Sequence, residues 1–210
     1  MNLSRRIATS CILLLLLTCC SGTAAEPDDE IRIDGLKGWR GERIQLPPVF
    51  ARDLKIKGVE EIRFAPGMFN PAAKDFFSYV IVFRLDDQPE LSAETLKREL
   101  LTYYVGLAKA VSQGAIETDG FSIDVAPEKL PGGKVKRDYL ATLEWVEPFA
   151  TKKPQTLRIE TRVWAGEKSR TWAFMCVSPN DTHDSIWKTM RSVRDGFFKD
   201  NPPPTDRTGC

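Results

Sequence analysis

The chain has 210 residues, 42% hydrophobic and 28% charged, with a formal net charge of +1. That apolar share excludes wholesale disorder, and interspersed acids and bases exclude the basic stripe of a nucleic-acid binder. Beyond the N-terminal run, no segment approaches the ~18 apolar residues of a transmembrane helix.

Residues 1–25 read as a signal sequence. Arg5 and Arg6 precede the apolar stretch Ile7 to Leu17, and small residues follow from Thr18 to Ala25. This is the charged, apolar, small-residue order of a secretory signal, too short to stay in a bilayer as a span. Leu17-Thr18-Cys19-Cys20-Ser21-Gly22 resembles a bacterial lipobox with Cys20 as the acylated residue. The pattern wants Gly, Ala or Ser before the cysteine, and Cys19 stands there. Cys19 as acceptor and ordinary cleavage after Thr23-Ala24-Ala25 are the alternatives. The adjacent cysteines favour the lipoprotein, with Cys20 as lipid anchor. Residues 26–41 form an acidic tether and entry segment, starting Glu26-Pro27-Asp28-Asp29-Glu30, with a strand-like start at Ile31 and Ile33.

The folded domain is expected over residues 42–199, roughly the length of one domain with its own core. Glu42 to Leu46 alternates and stops at Pro47-Pro48. Val59 to Phe64 is a second short strand. Phe77 to Leu85 is apolar on both sides, as a mid-sheet strand is. Ser92 to Gln113 is the strongest helix, with Ser92 as N-cap, Gly114 after its end, and Leu96, Leu100, Tyr103 and Leu107 at helical spacing. Tyr103 and Tyr104 on it are expected to pack on a sheet rather than line a ligand pocket. A short strand near Phe121 to Val125 precedes the turn Pro131-Gly132-Gly133.

Three strands follow: Tyr139 to Val146, Gln155 to Trp164 and Trp172 to Val177. In the second, Leu157, Ile159, Thr161 and Val163 alternate with Arg158, Glu160 and Arg162, whose mixed signs suggest the solvated side of a half-buried strand. Short connections imply antiparallel pairing. Asp184 to Phe198 is the closing helix, with Ile186, Met190, Val193 and Phe197 on one face and Trp187 beside them. Residues 200–210 form a Pro-rich tail. Strands, helix, strands, helix gives an α+β layer fold, an antiparallel sheet of about six strands with two main helices.

Candidate chemistry is sparse. His183, the only histidine, lies among Asn180, Asp181, Thr182 and Ser185, which look like capping residues, so a solvated helix terminus is favoured over a Cys176/His183 or Ser/His nucleophile. Cys176 reads as a small apolar core residue. A bridge to Cys210 is within the tail's reach, but a buried strand sulfur is a poor partner. One histidine and one embedded cysteine cannot furnish the usual zinc set of three or four such ligands. Carboxylate pairs stand at Glu60/Glu61 and Asp86/Asp87; acid–base work needs one carboxyl raised by burial, and Asp86/Asp87 sits at a strand-to-helix turn before Gln88-Pro89, where acids are ordinary. Pro131-Gly132-Gly133-Lys134 lacks the rest of a phosphate loop, and Asn180-Asp181-Thr182 matches a glycosylation acceptor. No catalytic residue, cofactor or metal is expected.

The chain resembles the PsbP-like proteins in Ile44-x-Leu46-Pro47, Val59 to Phe64, Tyr79 to Phe83, the long helix, and Trp172 to Val177. The resemblance ends on Trp187-x-x-Met190-x-x-Val193-x-x-Gly196-Phe197, where Gly196 replaces the family's serine. The loop Pro148 to Gln155 is longer than that family's pattern. The resemblance implies a curved antiparallel sheet with helices on its faces, an α/β/α sandwich. It implies an accessory or assembly role without catalysis and carries no functional residue over. The expected protein is thus exported, periplasmic or membrane-anchored, and a non-catalytic module for an envelope protein partner. The alternatives are an exported enzyme using dispersed carboxylates and a carrier of a small apolar ligand between the sheet and the Ser92–Gln113 helix.

Overall fold

The structure is a computed structural model and describes residues 31–87, 91–130 and 137–204. The chain divides into two units between Arg32 and Ile33, and the described elements lie in the second. The elements of the second unit are β1 (Arg40–Leu46), β2 (Gly58–Phe64), β3 (Tyr79–Leu85), α1 (Ala93–Ser112), β4 (Ser122–Pro127), β5 (Arg137–Val146), β6 (Pro154–Ala165), β7 (Thr171–Ser178) and α2 (Ser185–Asp200). A single 3-10 turn, Val49–Ala51, comes after β1.

Among the described residues, seven strands form one sheet in the order β1-β2-β3-β7-β6-β5-β4, and every neighbouring pair is antiparallel. The α+β class stands, but the sheet has seven strands rather than about six. The strand hinted at near Phe121 is the sheet edge β4. Its outer residues are exposed and it ends at Pro127, so its apolar signal is weak for a physical reason. Ile31 and Ile33 belong to no strand. Phe77 does not open β3 either. Its φ of 49° is left-handed, so the strand begins two residues later.

Register assigns the two faces. Glu60, Ile62, Ile81, Phe83, Met175, Thr161 and Tyr139 share one face by their pairings. Tyr103 and Tyr104 of α1 bond to that face through Glu60 and Tyr79. Val82, Phe174, Arg162 and Glu160 share the other, where Arg191 and Arg194 of α2 reach Glu160. The sheet is thus covered by one helix on each side, which explains why β3 and β7 are buried along nearly their whole length.

Local signals place the helices. Ser92 Oγ accepts from the Thr95 N–H, and Glu94 lies in the first turn of α1. At its end Gln113 and Gly114 turn left-handed, and the Gly114 N–H donates to the Lys109 carbonyl. Tyr139 Oη donates to the Leu91 carbonyl, pinning the entry to α1 onto β5.

Where α1 passes the 3-10 turn, a Cβ on Gly106 would sit 2.2 Å from the Phe50 carbonyl oxygen. Gly106→Ala improves helix propensity by about 1 kcal/mol but forces backbone apart, so a net loss of about 1–2 kcal/mol is expected in thermal melts. An unchanged or raised melting temperature would show that the turn yields freely.

The long connection after β5 is organised by one carboxylate. Glu147 is fully buried, and its oxygens accept from the N–H groups of Phe149, Ala150 and Thr151 and from Thr151 Oγ1. The loop closes with the Glu147 N–H donating to the Lys153 carbonyl, and β5 and β6 pair from Arg137↔Val163 to Val146↔Pro154.

Candidate functional site

Two buried polar clusters, one on each face of the sheet, are the strongest concentrations of reactive groups among the described residues.

The first lies beneath α2. The strip Arg158-Glu160-Arg162, expected to face water, is covered instead at Glu160 and Arg162, while Arg158 is half-buried. Glu160 is 3% exposed and Arg162 0%. Arg191 Nε donates to both Glu160 oxygens at 3.0 and 3.1 Å, and Arg194 Nη1 donates to Glu160 Oε2 at 3.0 Å. Arg162 Nε donates to Asp138 Oδ1 at 3.0 Å, and its Nη1 to Asp195 Oδ1 at 2.9 Å. Arg194 Nε closes the chain onto the same Asp195 oxygen at 3.2 Å. Three guanidinium groups thus alternate with three carboxylates, and the formal charges cancel. The covering helix brings its own arginines to the strip, which is why alternation alone misread it: a charged face looks the same beneath water or beneath a charged helix. Arg191 also stacks over Trp187, its guanidinium carbon 5.4 Å from the ring centroid. Trp187 is buried while Ile186 is only half-buried, so Trp187 belongs to the apolar stripe it was expected to flank.

Cys176 pairs in register with Glu160 and is fully buried, the small core residue its strand predicts. Burial pushes its thiol up to about 12, against a weaker downward pull from Arg194. Alkylation followed by peptide mapping should leave Cys176 unmodified in the native protein and label it fully in denaturant. Native labelling faster than global unfolding would contradict this.

The second cluster lies beneath α1. Glu60 and Glu61 are consecutive in β2 and so point to opposite faces. Glu61 pairs with Arg63 and, at 4.0 Å, with Arg43. Glu60 enters the core and is 0% exposed. Tyr103 Oη donates to Glu60 Oε1 at 2.9 Å, whereas Glu60 Oε2 has no hydrogen-bond partner among the described residues. Burial raises the Glu60 carboxyl to about 8. Tyr103 lowers it, while Glu42 and Glu61 push it up further. Beside it the Tyr79 and Tyr104 hydroxyls share a hydrogen bond of 2.7 Å, and burial pushes the phenols of Tyr79, Tyr103 and Tyr104 upward. Tyr103 packs edge-on against Phe50, centroids 5.1 Å apart, and Tyr104 against Trp145 at 5.2 Å. The tyrosine face is therefore core, as expected.

A groove of about 580 Å³ runs between the 3-10 turn and α1, lined among others by Phe50, Leu101, Val105 and Lys109. Neither tyrosine borders it.

The other candidates are solvated or lie elsewhere. The His183 side chain is 95% exposed, with Nδ1 2.7 Å from Asp181 Oδ1, at the start of α2. Asp86 and Asp87 are exposed at the end of β3. The Asn180 side-chain amide donates to the Lys74 carbonyl at 2.6 Å. Among the described residues no three His, Cys, Asp or Glu side chains gather as a metal set, and no helix is long and apolar enough to cross a membrane. Cys19, Cys20, Cys210 and the Pro131-Gly132-Gly133-Lys134 turn lie outside the described residues. Compared with family models, curated proteins and solved structures, the chain finds no match.

Proposed function

We propose that this is an exported, non-catalytic module of the cell envelope, lipid-anchored through Cys20, that binds or helps assemble a protein partner, and that its layers are those of a PsbP-like α/β/α sandwich. The observation that carries the reading is where the ionisable groups go. Glu160, Arg162, Arg194 and Glu147 are consumed in holding α2 and the β5–β6 loop in place. Groups locked in mutual pairs beneath a helix are poor acids, bases or nucleophiles, because each has already found its partner. A helix on each side of one antiparallel sheet is also the arrangement the resemblance implies, and the apolar run behind Arg5 and Arg6 gives the export reading its support. Mass spectrometry of the mature N-terminus tests the anchor. Acylated Cys20 is the expected species, and a free Glu26 terminus would remove the anchor from the proposal. Crosslinking in intact cells tests the role. Recovery of a stable envelope partner is expected, and repeated absence of any crosslinked species overturns it.

One observation favours the carboxylate-enzyme alternative. Glu60 is a buried acid whose proton leaves near neutral pH, a common property of catalytic acids. Glu60→Gln separates the two readings, because a structural acid leaves partner capture intact, whereas a catalytic one abolishes turnover.

A further inference from the structure

One end of the sheet carries two loops, residues 65–78 between β2 and β3 and residues 147–153 between β5 and β6. They meet through Phe69 and Phe149, ring centroids 5.6 Å apart, and Phe149 packs in turn on Phe77 at 5.8 Å. The first loop is internally braced. The Met68, Asn70 and Ala73 N–H groups donate to the carbonyls of Ala65, Gly67 and Asn70. On this fixed base Phe69 remains 53% exposed, one of two large hydrophobic side chains so exposed among the described residues. Pro71, Ala72 and Ala150 lie exposed in the same loops.

The charges of the two loops are sorted by sign. Lys74, Lys152 and Lys153 are exposed. The acids turn inward: Glu147 is fully buried in its own loop, and half-buried Asp75 accepts from the Gly67 N–H at 3.0 Å. The exposed acids nearby, Asp181 and Asp184, belong to the adjoining β7–α2 loop, where Asp181 is paired with His183. The two loops therefore offer water an aromatic ring, small apolar residues and three cations, and no exposed acid.

We propose that this end of the sheet docks on a lipid bilayer, with Phe69 entering the boundary between headgroups and acyl chains and Lys74, Lys152 and Lys153 meeting anionic headgroups. Aromatic rings favour that depth, and lysines near an anionic leaflet each add attraction. A protruding ring needs either a shaped pocket or a soft apolar phase. The lysines beside it select the anionic membrane surface. This contact belongs to the folded domain and goes beyond the acyl anchor, because it needs no modification of Cys20.

The test uses the full chain with Cys11, Cys19, Cys20 and Cys210 replaced by serine, which removes any acyl chain and leaves only buried Cys176. An environment-sensitive fluorophore is attached at Phe69→Cys, and in a second protein at Val49→Cys. With phosphatidylcholine vesicles holding roughly 30% phosphatidylglycerol, emission at position 69 should rise severalfold and shift blue, while position 49 stays unchanged. Lys152→Gln with Lys153→Gln should weaken this binding by about an order of magnitude. Vesicles of phosphatidylcholine alone should give little response. No change at position 69, an equal change at 49, or the same change without lipid at high protein concentration would overturn the proposal. The last of these would assign the surface to a second copy of the chain.

Discussion

Arg162→Met is expected to lower the free energy of unfolding by about 3–5 kcal/mol, read from chemical denaturation. Arg162 is fully buried and holds two carboxylates, Asp138 and Asp195. Methionine matches much of its volume, so the loss comes from charge and not from a cavity. Asp138 is itself buried and keeps a hydrogen bond from the Leu130 N–H at 3.2 Å, which does not replace a guanidinium. Its carboxylate must then stay buried and unpaired or take up a proton, and either outcome costs stability. Arg191→Ala should cost far less, about 1 kcal/mol, because its side chain is 26% exposed and Glu160 retains Arg194. The ordering of the two variants matters more than either value. Adding Asp138→Leu to Arg162→Met should recover part of the loss, since no charge then stays buried without its partner: Asp195 keeps Arg194, and only the Leu130 N–H loses an acceptor. A loss below about 1 kcal/mol for Arg162→Met would show that water reaches the network.

Much of this fold was legible in the sequence because apolar period reports elements directly. The strand expected over Gln155 to Trp164 is Pro154–Ala165, and the helix expected over Ser92 to Gln113 is Ala93–Ser112. What the period does not report is what covers a face. Arg158, Glu160 and Arg162 alternate as a wet strip would. Arg191 and Arg194 look like the polar side of a surface helix until the two meet. A trace of this was available: Arg194 follows Val193 within the apolar stripe of α2, where a charge needs a buried partner. Glu60 was likewise visible, since alternation along Val59 to Phe64 puts it on the same side as Ile62 and Phe64. Reading Glu60 and Glu61 as a pair hid this, because neighbours in a strand point apart. The edge strand β4 shows the opposite limit. Its outward residues face water and its inward ones are few, so it carries little pattern to read.

Glu60 makes stability fall as pH rises through neutrality. Its carboxyl ordinarily titrates near 4.5 and is raised to about 8 in the fold by burial, with Glu42 and Glu61 adding repulsion. Between these values the folded chain holds a proton that the unfolded chain has lost, so raising the pH favours unfolding. The contribution is complete below 4.5 and gone above 8, and the slope between approaches about 1.4 kcal/mol per pH unit. Other groups titrate too, so the informative quantity is the difference between the wild-type chain and Glu60→Gln. The variant keeps an oxygen to accept from Tyr103 and cannot ionise. It should match or fall slightly below the wild type near pH 5 and exceed it by several kcal/mol near pH 9. Tyr103→Phe removes a hydrogen bond that favours the ionised form and should move the midpoint higher. The infrared carbonyl band of the protonated acid offers a direct check, fading only as pH passes the raised value. Parallel pH profiles for the wild type and Glu60→Gln would mean that Glu60 is already ionised at neutral pH, with water or a cation satisfying Oε2.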